Sequence, residues 1–350
     1  MEQIPDIMKA VVVEEPNRAA VREVSTPQPR TGQILIRIEE CLLCTWEQRI
    51  FSGASSVGLP FIPGHEAAGV VASIPEGTVC NFKVGDRVSF KTLDHCGHCK
   101  FCFRGYENQC TGQAEKRDYD GIGGSGGLAQ YIALDVGRVF PIRGDITLAE
   151  AAFTEPLACC VHSIRRTRTG FGSRVAVVGA GIMGQLHAQL ARLSGAQVIV
   201  VEPDPQRRQM ALDLGAHGGV DPLTGDEEQQ ILALTHGEGL DAVFVTTANP
   251  DIAARYVDLV DTMGEVVFYG SFHPNREIPM DPNHIHYSEK VITGSASPSV
   301  NDMYTAASML AQKTVSVEAF LSEEYGIGQA QEAFEAALRP DTYRVVVHMK

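Results

Sequence analysis

The sequence predicts an α/β protein of two domains: a β-rich first domain with barrel-like strands, and a second built on a doubly wound parallel sheet. Three observations predict it. At 350 residues the chain exceeds the size at which a single hydrophobic core usually stops growing. From Met8 to about Glu155, short apolar or alternating runs are separated by Pro and Gly punctuation. Beyond Glu155, continuous apolar runs alternate with segments of helical period, and such alternation makes a parallel sheet with helices on both faces.

Taken in order, KAVVVEE, QILIRIEE, AAGVVASI and DRVSFKT read as strands, with TPQPRTG, GLPFIPG and KVGD as turns between them. RVAVVGAG, QVIVVEP, LDAVFVTT and GEVVFYGS read as buried strands, and MGQLHAQLARLSG and DPQRRQMALDLGA as the intervening helices. From about Ser297 the tail offers helices in NDMYTAASMLAQ and GIGQAQEAFEAALRP and a closing strand, YRVVVHMK, free to return to the first domain. No internal repeat or low-complexity segment interrupts this order, and the Gly-rich GIGGSGG at 121–127 reads as a loop.

A formal charge of −14 without a Lys/Arg cluster disfavours nucleic acid and anionic membranes as partners. No run approaches the roughly 18 apolar residues that span a bilayer. MEQIPDIMKAVVVEE lacks the basic and apolar regions of a secretory signal, so a cytoplasmic protein is expected. Four of the nine cysteines fall between Cys96 and Cys110, which favours reduced, metal-bound thiolates over disulfides.

Gly179-Ala180-Gly181-Ile182-Met183-Gly184 follows the strand RVAVV and opens a helix. Gly179 makes the tight turn, Gly181 lets the backbone approach a pyrophosphate, and Gly184 allows close helix–strand packing. The next strand ends in Glu202, at the spacing of the acid that binds the adenosine ribose and repels a 2′-phosphate, so NAD is favoured over NADP. Arg207 and Arg208 read as solvated helix surface, with Arg207 near the adenine as the alternative.

Cys96-x2-Cys99-x2-Cys102-x7-Cys110, with Gly97 and Gly105 for the turns, supplies four thiolates and no open position. That describes a closed structural zinc site, with an iron–sulfur cluster as competitor; the interleaved His95 and His98 read as loop surface. A second set is scattered: Cys44, His65-Glu66 and Glu155. Such a mixed S, N and O set has the chemistry of a catalytic zinc site with an open position. Taken singly, each residue also fits a bland role, as a buried thiol, a loop histidine or a helix-start carboxylate.

Together Cys44, Gly64-His65-Glu66-x2-Gly69, the four-cysteine lobe, Glu155-Pro156-Leu157, the glycine turn with Glu202 and the segment Gly85–Val88 carry a likeness over nearly the whole chain. The chain resembles the zinc-dependent medium-chain dehydrogenases of the alcohol and polyol type. The resemblance implies a chaperonin-10-like catalytic domain, residues 1–155 and 297–350 with a structural zinc lobe at 94–112, and an NAD-binding Rossmann domain at 156–296. It implies two zinc ions per chain, the catalytic one in an interdomain cleft on Cys44, His65 and Glu155, with Glu66 behind them or exchanging onto the metal. Cys159 and Cys160, near the third ligand position, read as helix core. The loops Val245–Ala248, Tyr269–Ser271 and Gly294–Ala296 would border the nicotinamide. The implied reaction is hydride transfer from a zinc-held alcohol to the nicotinamide, by a homo-oligomer, dimer or tetramer.

The chain also departs from the family. Relatives place a relay hydroxyl two positions after the zinc cysteine and often a histidine five positions on, where this chain has Trp46 and Arg49. Indole cannot accept a proton, so the proton must leave by another route, through Thr45 or a water held by Glu155 or Glu66. Trp46 either fills space behind the zinc loop or walls the pocket and stacks on the C–H face of a polyol, cyclitol or sugar. Glu47, at a position the family gives to Asp, reads as structural, and Pro75 as altering a turn. Asp118, Tyr119 and Asp120 read as solvated loop, with hydroxyl recognition as the alternative; His284 and His286 receive no role. The function expected is NAD-dependent oxidation of a secondary alcohol of a polyol, cyclitol or sugar derivative. Its rivals are a threonine-type dehydrogenase, an NAD-retaining epimerase or lyase, and a zinc protein that has lost catalysis.

Overall fold

The computed structural model describes residues 3–112, 117–272 and 275–350. The chain divides into two compact units, Met1–Ala158 with Pro298–Lys350, and Cys159–Ser297. No helix among the described residues is long and apolar enough to cross a membrane.

The first unit is built on two sheets. In the five-stranded one, Ile7–Glu15 pairs antiparallel with Arg18–Ser25 and continues through Phe61–Ile62 and Ile122–Gly124 to Asp118–Tyr119. The seven-stranded sheet is organised by one long strand, Gln33–Leu43. Glu66–Ser73 runs along one of its edges, while the other edge is shared by Tyr131–Asp135 and Arg344–His348. The closing strand therefore lies against the middle of the first unit. Alternate apolar residues of these strands, among them Ile34, Ile36, Ile38, Val71, Val345 and Val347, pack with Phe51 and Phe334 into one core. The Phe51 and Phe334 rings stack at 4.9 Å, joining helix Thr45–Phe51 to helix Ala330–Ala337.

The second unit is a six-stranded parallel sheet in which strand Arg174–Val178 lies between Gln197–Val201 and Ala242–Val245. Counted along the chain from Arg174–Val178, the spatial order is 3-2-1-4-5-6. In this order ligands bind at the carboxyl ends of the strands, where the direction of winding reverses. Fully buried Val175, Val177, Val198, Val200, Val243 and Phe244 explain the continuous apolar runs.

Strands Phe61–Ile62 and Ile122–Gly124 lie where a turn in GLPFIPG and a loop at 121–127 were expected, and several others, among them Arg18–Ser25, Tyr131–Asp135 and the following three, carry too little signal to be read from sequence. Gly218–Val220 is two-thirds glycine, Val291–Gly294 is a partly exposed edge, and Leu321–Gly326 alternates around two glutamates. Tyr119 is not a solvated loop residue as expected: it is buried among Met8, Val24 and Leu35. Asp118 and Asp120 are exposed, and Asp120 accepts the Ser25 N–H at 2.6 Å.

Candidate active site

Three neighbouring strands of the seven-stranded sheet deliver the first cluster. Leu42 pairs with Glu66 on one side and Val346 on the other, and Leu43 pairs with Val345. Cys44, one step past Leu43, therefore emerges beside His65 and Glu66 and beside Arg344. Cys44 also caps helix Thr45–Phe51: its sulfur accepts the Trp46 N–H at 3.2 Å, while Glu47 accepts the Cys44 N–H at 3.3 Å.

Cys44 Sγ lies 3.6 Å from His65 Nε2, and ligand atoms of Cys44, His65 and Glu66 all fall within 4.8 Å of one another. A tetrahedral zinc, with sulfur at about 2.3 Å and nitrogen at about 2.05 Å, holds those two ligand atoms about 3.5 Å apart. Glu155, in the first turn of helix Thr154–Ile164, places Oε2 4.0 Å from the same His65 nitrogen. The zinc geometry asks for about 3.4 Å there, a small closure. The donor set and its spacing fit the ion.

Glu47 organises this cluster, a role its sequence neighbourhood did not announce. Its fully buried carboxylate accepts the Gly64 N–H at 3.2 Å and meets His65 Nδ1 at 2.7 Å. That contact turns Nε2 toward Cys44 and Glu155, as a carboxylate behind a ligating histidine does. Burial alone would push the Glu47 carboxyl up, but the charge and hydrogen bond of His65 outweigh it and hold it below its ordinary value. Burial likewise opposes a charged His65 ring, yet Glu47 and Cys44 raise it well above the ordinary range. Burial pushes the Cys44 thiol up to about 12, with Glu47 adding and His65 opposing; a bound cation reverses such a preference.

Glu66 lies beside Arg344. Both of its oxygens are taken by Arg344, Nε at 2.7 Å and Nη2 at 2.8 Å, in a pair whose carboxylate is 2% exposed. Arg344 lies far along the chain and was not foreseen; only the closing strand's register brings it here. Trp46 is partly buried, edge-on to Phe61 at 5.9 Å and to His65 at 5.3 Å. Thr45 is exposed and Arg49 half-buried.

In the cysteine lobe, Sγ separations are 3.5 Å for Cys99–Cys102, 3.6 Å for Cys96–Cys110 and 3.9 Å for Cys99–Cys110. Four sulfurs at about 2.3 Å from one tetrahedral ion stand about 3.8 Å apart, so the lobe fits zinc without rearrangement. Backbone N–H groups of Cys96 and Gly112 donate to Cys110 Sγ at 3.3 and 3.4 Å, and such bonds hold Cys110 and Cys99 below the ordinary thiol value, Cys99 at about 5. His98 is exposed as expected. His95 is half-buried instead, with Nδ1 lacking a partner among the described residues.

The second unit forms the glycine turn. A Cβ on Gly184 would stand 1.9 Å from the Gly179 carbonyl oxygen, whereas one on Gly181 would meet nothing within 4 Å. The first glycine is needed for packing; the second leaves open the space a pyrophosphate would take, at the start of helix Ile182–Leu193. Ile182 is buried and Met183 partly so. Glu202 stands at the end of strand Gln197–Val201, accepting the Ala180 N–H at 2.6 Å and the Asp204 N–H at 3.0 Å. Arg207, in the first turn of the following helix, has its N–H on Asp204 and its carbonyl on Gln185. Arg208 is not solvated surface: its guanidinium is bound to the Glu202 and Pro203 carbonyls and to Asp221. Cys160 is fully buried and Cys159 half-buried. His284 Nε2 stands 3.1 Å from the buried Lys290 ammonium, which also donates to two carbonyls ending helix Pro250–Leu259, a structural arrangement.

The alcohol dehydrogenase GroES-like domain family matches residues 30–144, and the zinc-binding dehydrogenase family matches residues 183–312. A sorbitol dehydrogenase from Halalkalibacterium halodurans is 29% identical over 94% of this chain and 95% of its own. D-arabinitol dehydrogenase 1 from Uromyces fabae is 27% identical over 99% and 98%. A solved structure from Sinorhizobium meliloti 1021, described as a zinc-binding dehydrogenase bound to NADP, is 27% identical and superposes with a TM-score of 0.88 over 98% of this chain and all of that one. The GroES-like and Rossmann-type folds, the family matches and these relatives agree: the chain belongs to the zinc-dependent medium-chain alcohol and polyol dehydrogenases, oxidoreductases acting on alcohol CH–OH groups.

Proposed function

We propose that the protein oxidises a secondary alcohol of a polyol, cyclitol or sugar derivative to the ketone, using NAD. The single observation that supports this most is the convergence of Cys44 Sγ, His65 Nε2 and Glu155 Oε2, with separations of 3.6 and 4.0 Å along that series. Polyol substrates are named for the sorbitol and arabinitol relatives and extend to this chain as part of the proposal.

Cys44, His65 and Glu155 would hold the catalytic zinc, and Cys96, Cys99, Cys102 and Cys110 the structural one. When bound, zinc supplies Lewis-acid polarisation of the substrate hydroxyl and the nicotinamide accepts the hydride. Glu47 fixes the tautomer and direction of His65. Arg344 keeps Glu66 back, leaving Glu155 as the resting third ligand. Trp46 borders the substrate with the part of its ring not packed on Phe61 and His65, excludes water, and stacks on the C–H face of a polyol. No hydroxyl occupies the relay position, so Glu155 is the acceptor that orients a proton-carrying water.

Glu202 binds the ribose hydroxyls and rejects a 2′-phosphate, so this chain prefers NAD, although the similar Sinorhizobium structure is described as bound to NADP. Assembly as a homo-oligomer follows from the resemblance. The test is metal analysis together with NADH formation across a panel of polyols, cyclitols, sugar acids and hydroxy amino acids. Two zinc ions per chain and turnover of a polyol or cyclitol are expected. Silence across the panel with both metals bound would sink the reading; turnover of hydroxy amino acids alone would favour the threonine-type enzyme. Trp46→Ser should raise KM for the best polyol, and an unchanged KM would remove the stacking role.

A further inference from the structure

Glu202 and the helix that follows it form a charge arrangement more elaborate than one acid at a strand end. Asp204 caps helix Pro205–Asp213 by accepting the Gln206 and Arg207 N–H groups at 2.8 and 3.0 Å. Glu202 is 6% exposed and its two oxygens are each steered by a backbone N–H. One turn into the helix, Arg208 is of the right type and place to serve a phosphorylated ribose, since an arginine near this acid is what accommodates a 2′-phosphate. It points elsewhere. Its stem runs along Gly219, where a Cβ would lie 3.6 Å from Arg208 Cβ. Nη1 donates to the Glu202 carbonyl at 2.5 Å and the Pro203 carbonyl at 2.7 Å. Nη2 is paired with Asp221 Oδ2 at 3.1 Å, with side-chain exposures of 19% and 28%.

Asp221 directly follows strand Gly218–Val220, which pairs in parallel with Gln197–Val201 so that Val220 faces Val201. Asp221 and Glu202 are thus the equivalent next residues on adjacent strands. One carboxylate presents itself at the ribose position; the other engages the nearby cation. A guanidinium that already donates to two carbonyls and a carboxylate has few N–H groups left for a phosphate. Charge adds to geometry, because Glu202, Asp204 and Asp221 all follow the carboxyl ends of two adjacent strands, so a 2′-phosphate there would meet carboxylates.

We propose that Asp221 is a cofactor-specificity residue: by holding Arg208 against the Glu202 and Pro203 carbonyls, it denies a 2′-phosphorylated dinucleotide its cation. Discrimination is then divided between Glu202, which repels the phosphate, and Asp221, which withholds the counter-charge. The inference rests on the proposed preference for NAD, and Asp221 acts through Arg208 without touching the cofactor.

The test is calorimetric titration of the full zinc-loaded chain with NADH and NADPH, reading the ratio of the two dissociation constants. Wild type, Asp221→Asn, Glu202→Ser, the double variant, and the double variant with Arg208→Leu are compared. Asp221→Asn alone should shift the ratio toward NADPH, and in the Glu202→Ser background it should add about tenfold, the size of one charge-assisted hydrogen bond from Arg208 to the phosphate. Arg208→Leu should abolish that gain, which general loosening of the fold would not produce. A ratio unmoved by Asp221→Asn in both backgrounds, or a gain that survives Arg208→Leu, overturns the role of Asp221. Wild type binding NADPH as tightly as NADH instead overturns the preference for NAD, and the inference with it.

Discussion

Replacing Glu47 by Gln keeps its volume and removes its charge at the centre of the metal cluster. The native carboxylate accepts from Cys44 N–H at 3.3 Å, Gly64 N–H at 3.2 Å and His65 Nδ1 at 2.7 Å. An amide has one acceptor oxygen, so if it stays on His65 its NH2 group must face the Cys44 N–H, donor against donor. One buried donor left unmet costs about 1–3 kcal/mol, and a charge-assisted bond to His65 becomes a neutral one. The His65 ring then loses basicity and is free to rotate, which should weaken the catalytic zinc about 10–100-fold, or about 1.4–2.7 kcal/mol. Competition with a chromophoric chelator at pH 7.5 measures this, and the cysteine lobe serves as internal control because it shares no residue with Glu47. A catalytic zinc affinity within about twofold of wild type, in a folded protein still holding its lobe zinc, would refute the reasoning.

Two further outcomes follow from the second unit. Gly184→Ala drives a methyl to 1.9 Å from the Gly179 carbonyl, while Gly181→Ala meets no protein atom within 4 Å; the first should lower the melting temperature, and the second should keep it while weakening NADH binding, so equal melting losses would contradict the division of labour. His187 is fully buried, with Nδ1 on the Met183 carbonyl at 2.6 Å, the ring against Phe244 and Tyr269, and Nε2 without a partner among the described residues. Burial lowers its pKa to about 4, below the unfolded value of about 6.5, so the unfolded state binds the proton first and stability falls as pH drops from about 6.5 toward 4. Between pH 8 and pH 5 this should cost about 2 kcal/mol; denaturation at both values for wild type and His187→Leu checks it, and an identical acid loss in the variant would count against a buried neutral imidazole.

How much was legible depends on whether a signal is local. The strand runs of the second unit are fully buried, so valines at 175, 177, 198 and 200 announce themselves without knowledge of their neighbours. In the turn, a Cβ on Gly184 would meet the Gly179 carbonyl five residues away, while one on Gly179 would crowd Thr246, just past the adjacent strand Ala242–Val245. The four lobe sulfurs lie in one short stretch and their spacing is itself the signal. Gly218–Val220 and Leu321–Gly326 failed for the opposite reason: their pairing comes from partners that are remote in sequence or already in place, and their own residues have weak strand preference.

The catalytic cluster shows the limit more sharply. Cys44, His65 and Glu155 could be named from motif, but no spacing rule could say which carboxylate stands ready for metal. In the proposed assignment that choice turns on Arg344, whose position is set by the register Val345 opposite Leu43 and Val346 opposite Leu42. Burial opposes the Arg344 charge and Glu66 restores it, raising the guanidinium above its ordinary value, and both Glu66 oxygens are held by Arg344 in a dry setting. Glu155 stands with Oε2 4.0 Å from His65 Nε2, a separation that closes by a small side-chain motion. Register, which is a property of three strands at once, therefore bears on the proposed choice of third zinc ligand, a question the motif left open between two glutamates.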